Sequence, residues 1–164
     1  MKRSICVTSA FSLVEVTLAL GIAAFCLIAV FGLVPVAVLT NRNATSRTAT
    51  TNIVAAVVAD LRATPLTVPP GRATTSVQYQ IPIPQNPVTV STTIAPVFFA
   101  QDGTFSGTTQ PSSRYRLTVT FPPNGPGTHT PTYADVRATW PAPVDPTTTT
   151  PSGSVEILAA FDRN

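Results

Sequence analysis

An uncharged stretch near the N-terminus limits what this chain can fold into more than any other feature. From Val16 to Leu39 no residue carries a charge. As an α-helix that stretch is roughly 36 Å long, enough to cross a bilayer's hydrocarbon core with some tilt. It is apolar all round, the pattern of a helix surrounded by protein or lipid. Lys2 and Arg3 precede it and favour a cytoplasmic N-terminus. Arg42 and Arg47 follow it and weaken that bias without reversing it. The expected topology is therefore a single pass through the inner membrane, in contact with its lipid, with the rest of the chain periplasmic or otherwise extracytoplasmic. A secretory signal peptide fits less well, because its apolar core is shorter and ends at a small-residue cleavage site.

One residue does not suit a plain anchor. Glu15 lies within the first turns of the apolar helix, where an unpaired carboxylate at mid-membrane costs about 2.5–3.5 kcal/mol. Such a group requires a cationic partner. A cut before Phe11 creates one, the new α-amine, which a neighbouring subunit can present to Glu15.

Ala10-Phe11-Ser12-Leu13-Val14-Glu15 resembles the cleavage and N-methylation motif of type IV prepilins and pseudopilins. The resemblance implies a basic leader, 1–10, removed by a prepilin peptidase between Ala10 and Phe11. It implies methylation of Phe11 and an assembly role for Glu15, which neutralises the N-terminal amine of an adjacent pilin or pseudopilin subunit. The family nearly always has Gly where this chain has Ala10, and Ala is the mildest replacement. Thr51 to Leu66, Tyr115 and Ala138-Thr139-Trp140-Pro141 extend the resemblance toward prepilin-type proteins of Verrucomicrobial cassettes, the cassette protein B group.

The segment 11–40 is thus expected to be a membrane and assembly helix, with Pro35 kinking or opening it. Beyond Thr40 the apolar pattern becomes one-sided. Ile53, Val54, Val57, Val58 and Leu61 form one helical stripe, so the helix should continue over 41–64 and stop before Pro65. Asn41, Arg42, Arg47, Asp60 and Arg62 suit its solvated face, and the Asn/Thr-rich stretch 40–52 is a weak helix former.

Residues 65–164 read as a β-domain. All but one of the 17 prolines lie after residue 64. Alternation at Val77–Ile83, Val88–Ile94, Tyr115–Phe121, Ala134–Trp140 and Val155–Phe161 predicts about five half-buried antiparallel strands. Pro82, Pro84 and Pro87 place the 76–94 region at an edge or in an exposed loop. Gln101-Asp102-Gly103 is a turn signal, and the Thr/Pro-rich connectors 122–131 and 141–154 are expected to be turn-rich, with Thr147–Thr150 mobile. The fold class is α+β: one long N-terminal helix, membrane half and amphipathic half, packed on a small antiparallel sheet in the pilin manner.

Little supports an enzyme. His129 is the sole histidine and sits in a Pro/Gly/Thr loop. Asp102, Asp135, Asp145, Glu156 and Asp162 are scattered, without the spacing of an acid–base pair or a metal site. No phosphate-binding glycine loop is present, and no cofactor is expected. The net charge of +3 gathers around the apolar segment rather than on an aromatic-studded face, so nucleic acid is not an expected partner. Trp140 belongs to an alternating run and reads as core. The function expected is that of a structural subunit, a minor pilin or pseudopilin of a type IV pilus-like or type II secretion-like filament. The rival is an uncleaved, signal-anchored monomer that presents its β-domain to a surface partner.

Overall fold

A computed structural model describes residues 11–64, 75–85, 87–126 and 130–162. The chain divides into two compact units between Arg42 and Asn43. Helix α1, Leu13–Ala63, contributes to both and is 51 residues long.

In the first unit, α1 begins after Ser12, whose carbonyl accepts the backbone N–H groups of Glu15 (3.0 Å) and Val16 (3.1 Å). The helix is continuous through Pro35, so the expected opening there does not interrupt it. The hydroxyls of Thr17 and Thr40 donate to the carbonyls of Val14 (3.0 Å) and Val36 (2.9 Å). Each thereby satisfies its polar group within its own helix, as an apolar surrounding demands.

The second unit holds the core. The Asn/Thr-rich stretch is helical throughout, with Thr48, Thr50 and Thr51 hydroxyls bonded to carbonyls four residues back. The stripe Ile53, Val54, Val57, Val58 and Leu61 is buried, extended N-terminally by Ser46 and Thr50. Fully burying each Val, Leu or Ile is worth about 1.5–3 kcal/mol. The helix ends ahead of Pro65, where a proline disfavours a helical predecessor.

Six strands receive that stripe: β1 (Thr92–Thr93), β2 (Val97–Ala100), β3 (Phe105–Ser106), β4 (Ser113–Phe121), β5 (Thr132–Trp140) and β6 (Gly153–Phe161). All pairings are antiparallel in the order β3-β2-β4-β5-β6, with β1 also paired to β4. Tyr115, Leu117, Val119 and Phe121 of β4 alternate inward beside Ala134, Val136, Ala138 and Trp140 of β5. Together with Ala159 and Phe161 they form one core with the helix stripe. This is the expected α+β architecture, one long helix on a small antiparallel sheet.

Three expectations change. The alternating run Val77–Ile83 is not a strand but a turn closed by an isolated Thr75–Pro82 bridge, with Gln80 at φ 54°. Prolines 82, 84 and 87 remove donors that a partner strand would need. Yet the segment is not wholly exposed: Tyr79, Ile81, Ile83 and Val88 are buried, while Val77 and Val90 point to solvent. Second, the Val88–Ile94 run pairs only at Thr92 and Thr93. Third, Asp60 is not on a solvated face. It is 8% exposed, and its carboxylate accepts the backbone N–H groups of Gln78 and Tyr79, both at 3.1 Å.

Two polar side chains thus hold the irregular segment in place. Besides Asp60, Asn124 accepts the N–H of Val88 at 2.8 Å and donates to the carbonyl of Pro131 at 3.1 Å. The rings of Tyr79, Phe99 and Phe105 pack mutually at centroid distances of 5.4–5.7 Å. The Gln101-Asp102-Gly103 signal is the β2–β3 turn, with Gly103 at φ 86°.

Candidate functional site

Leader residues Lys2, Arg3 and Ala10 lie outside the described residues. Phe11 and Glu15 are described, and both are exposed. Phe11 lies just ahead of the helix and Glu15 in its first turn. Among the described residues no ion pair reaches Glu15; the ion pairs are Arg116–Asp145 and Arg137–Glu156. A carboxylate in a helix's first turn interacts favourably with the helix dipole, but that term is a fraction of the cost of placing it in lipid.

The surroundings of Glu15 are unusual. Every residue from Phe11 to Thr45 is exposed, including Leu13, Leu18, Leu20, Phe25, Ile28 and Phe31. A helix with this composition in water would have no means of hiding its apolar surface within its own unit. It is long and apolar enough to cross a membrane. Pro35 and the free thiol of Cys26 lie on this same exposed stretch. Glu15 and Pro35 thus lie on one exposed helical segment, with Phe11 just ahead of it.

The β-domain supplies chemistry of another kind. Arg116 of β4 donates to the Asp145 carboxylate at 2.9 Å, on the sheet face opposite the main core. Asp145 in turn accepts from the N–H (3.0 Å) and hydroxyl (2.8 Å) of Thr147, while its own carbonyl accepts from Thr148 and Thr149. The β5–β6 connector, whose Thr run was expected to be mobile, is a hydrogen-bonded turn at 145–149. The Thr147 and Arg116 donors hold the Asp145 carboxyl below the usual carboxylate range. Asp102 is lowered likewise by Thr104, whose N–H it accepts at 2.9 Å, which makes it a turn-forming residue.

Asp135 on β5 behaves in the opposite sense. Burial, then the nearby Glu156 charge, raises its carboxyl above the usual range, against the pull of Arg137. Cys, His, Asp and Glu do not gather in groups of three or more among the described residues. A shallow groove of about 280 Å³ runs between α1 (Ala49, Asn52, Ile53, Ala56) and the β2–β3 turn, with Tyr79 at its floor. It holds one carboxylate, Asp102, and no nucleophile or base to accompany it. His129 is outside the described residues. Trp140 is core, 2% exposed, as its alternating run implied.

Sequence reading missed Asp60 and Asn124, whose role is to fasten the irregular segment. The one signal for Asp60 was its place beside the apolar stripe, between Val57 and Leu61. Neither family models, curated proteins nor solved structures match this chain.

Proposed function

We propose that this protein is a membrane-anchored assembly subunit, a minor pilin or pseudopilin whose N-terminal helices bundle in a pilus-like or secretion-like filament. The observation that carries the reading is Glu15, a carboxylate in the first turn of a helix whose apolar residues up to Leu39 are all exposed. Lipid accommodates the apolar side chains before assembly and neighbouring helices do so after it. Neither lipid nor an apolar neighbour accommodates the carboxylate. A neighbour's N-terminal amine does, and a bond formed only between subunits sets their lateral register.

In this reading a prepilin peptidase removes residues 1–10 at the cytoplasmic face of the inner membrane and methylates Phe11. The α-amine remains cationic after methylation, so Glu15 retains its partner. The β-domain is carried outside the membrane, and its sheet surface becomes the exterior of the assembly.

Glu15→Ala tests the proposal. The variant is expected to enter the membrane fraction as the native chain does, since the substitution removes a charge that opposes insertion. It is expected to lose the higher oligomers that the native chain shows on native electrophoresis in mild detergent. Oligomers undiminished in Glu15→Ala would overturn the assembly role.

A further inference from the structure

The groove between α1 and the β2–β3 turn joins two unlike chemistries. Its helix wall is apolar at Ala49, Ile53 and Ala56, with Tyr79 as the floor of a space of about 280 Å³. Its rim carries the Asn52 amide and the Asp102 carboxylate. Thr104 donates its N–H to Asp102 at 2.9 Å and favours the charged form. Among the described residues no cation pairs with that carboxylate; the ion pairs lie elsewhere on the sheet. An apolar trough that leads to an unpaired carboxylate suits an arginine, whose methylene stem covers apolar surface while its head pairs with the acid.

Helix α1 carries such a side chain, but it faces away. At 3.6 residues per turn, Arg47 lies about 170° around the helix from the centre of Ala49, Asn52, Ile53 and Ala56. Arg47 is exposed and, like Asp102, has no ion pair among the described residues. A chain therefore cannot fill its own groove with Arg47, whereas a second copy beside it can. Axial register selects the same residue. The amine–Glu15 pairing proposed above sets Phe11 of one copy level with Glu15 of the next, an offset of four residues or about 6 Å. Because α1 is one helix through Ala63, that offset brings the neighbour's Arg47 level with Thr51, between Ala49 and Ala56. The neighbour's Arg42 arrives at Ser46, short of the groove.

We infer that the groove receives Arg47 of the adjacent copy, its stem along Ala49, Ile53 and Ala56 and its guanidinium on Asp102. Both helices run in the same direction, as anchoring in one membrane requires. The contact is heterologous: each copy offers an arginine on one flank of α1 and a groove on the other, so it continues from copy to copy. An exposed ion pair adds little affinity by itself. Its effect is on register, repeated at every step among copies confined to one membrane. The inference rests on the assembly reading and gives it a second contact, outside the membrane.

The test uses the full chain in its native membrane. Arg47→Glu and Asp102→Arg are each expected to reduce the oligomers seen on native electrophoresis several-fold, and the two together in one chain to restore them. Arg47 is exposed on the helix, so Arg47→Glu leaves the fold unchanged. In a second arm, Cys6→Ser and Cys26→Ser remove the native thiols. Arg47→Cys and Asp102→Cys, co-expressed on separate chains, are expected to give a covalent dimer with a thiol crosslinker as long as an arginine side chain. Placed together in one chain they are expected to give a ladder. An internally crosslinked monomer, a product with a different protein, or a higher yield from Arg62→Cys than from Arg47→Cys each overturns the inference. Failure of the double charge reversal to restore oligomers, in chains that remain protease-resistant, also overturns it. Oligomers lost in Glu15→Ala but undiminished in Arg47→Glu overturn the groove contact and leave the assembly reading standing. A native chain without oligomers overturns the assembly reading, and this contact with it.

Discussion

The carboxylate of Asp60 accepts the backbone N–H of Tyr79 at 3.1 Å, fastening the last helical turns of α1 to a turn that has no strand partner of its own. Through this contact a helix and an irregular segment act as one layer of the core. The same carboxylate accepts from Gln78, so its removal leaves two donors unsatisfied.

Asp60→Ala is expected to lower stability by about 1–3 kcal/mol, the range for a buried backbone group left without its partner. Asp60→Asn keeps one acceptor oxygen and is expected to cost less. Thermal unfolding of the detergent-solubilised full chain measures both. Equal stability in all three proteins would remove Asp60 from the account of the fold.

Alkaline pH should act through Tyr79. Burial, then the neighbouring Asp60 charge, raises its hydroxyl above its usual value of 10.0. The unfolded chain loses this proton first, so it binds fewer protons than the folded chain above pH 10, and stability falls as pH rises through that window. Tyr79→Phe is expected to flatten this part of the pH profile. A profile unchanged by Tyr79→Phe would show that another group is responsible.

Two aspartates should act oppositely in acid. Asp145 is lowered from 3.8, so the stability it contributes is present above that pH and is lost as pH falls through its folded value. Asp135 is raised from 3.8, so the stability it contributes is present below that pH and is lost as pH rises through its folded value. Asp135→Asn is therefore expected to improve stability at neutral pH relative to acid, and Asp145→Asn to weaken it. Denaturant midpoints at pH 3 and pH 7 for the two variants decide the signs.

Gly153 lies directly beneath the indole of Trp140, its cross-strand partner, and a Cβ there would collide with the six-membered ring. Gly153→Ala is expected to cost about 1–3 kcal/mol through forced displacement of that ring. Trp140 is the sole tryptophan, so its fluorescence reports the displacement directly. An unshifted emission spectrum with unchanged stability would contradict this packing.

The parts of this fold that follow a period were legible in the sequence. The uncharged run and the stripe Ile53–Leu61 give α1, and strict alternation gives β4, β5 and β6, because burial on one face imposes those repeats. Val77–Ile83 shows why alternation alone is insufficient. Tyr79, Ile81 and Ile83 point inward from an extended chain, but the prolines that follow deny it a neighbour. Asp60 was hidden for a related reason: its partners lie 18 and 19 residues away in an aperiodic turn, a contact no local pattern announces. The exposed apolar helix that carries Glu15 was legible because its pattern is local. The strand order was not, since it is a property of the assembled sheet.

Intact mass and N-terminal sequence of the protein recovered from native membranes test the central claim most directly. A chain beginning at Phe11 with one added methyl group is the result expected of an assembly subunit, and Ala10→Gly should give the same product at least as completely. A chain still beginning at Met1, in cells whose other prepilins are processed, would contradict the account and leave a signal-anchored module in its place.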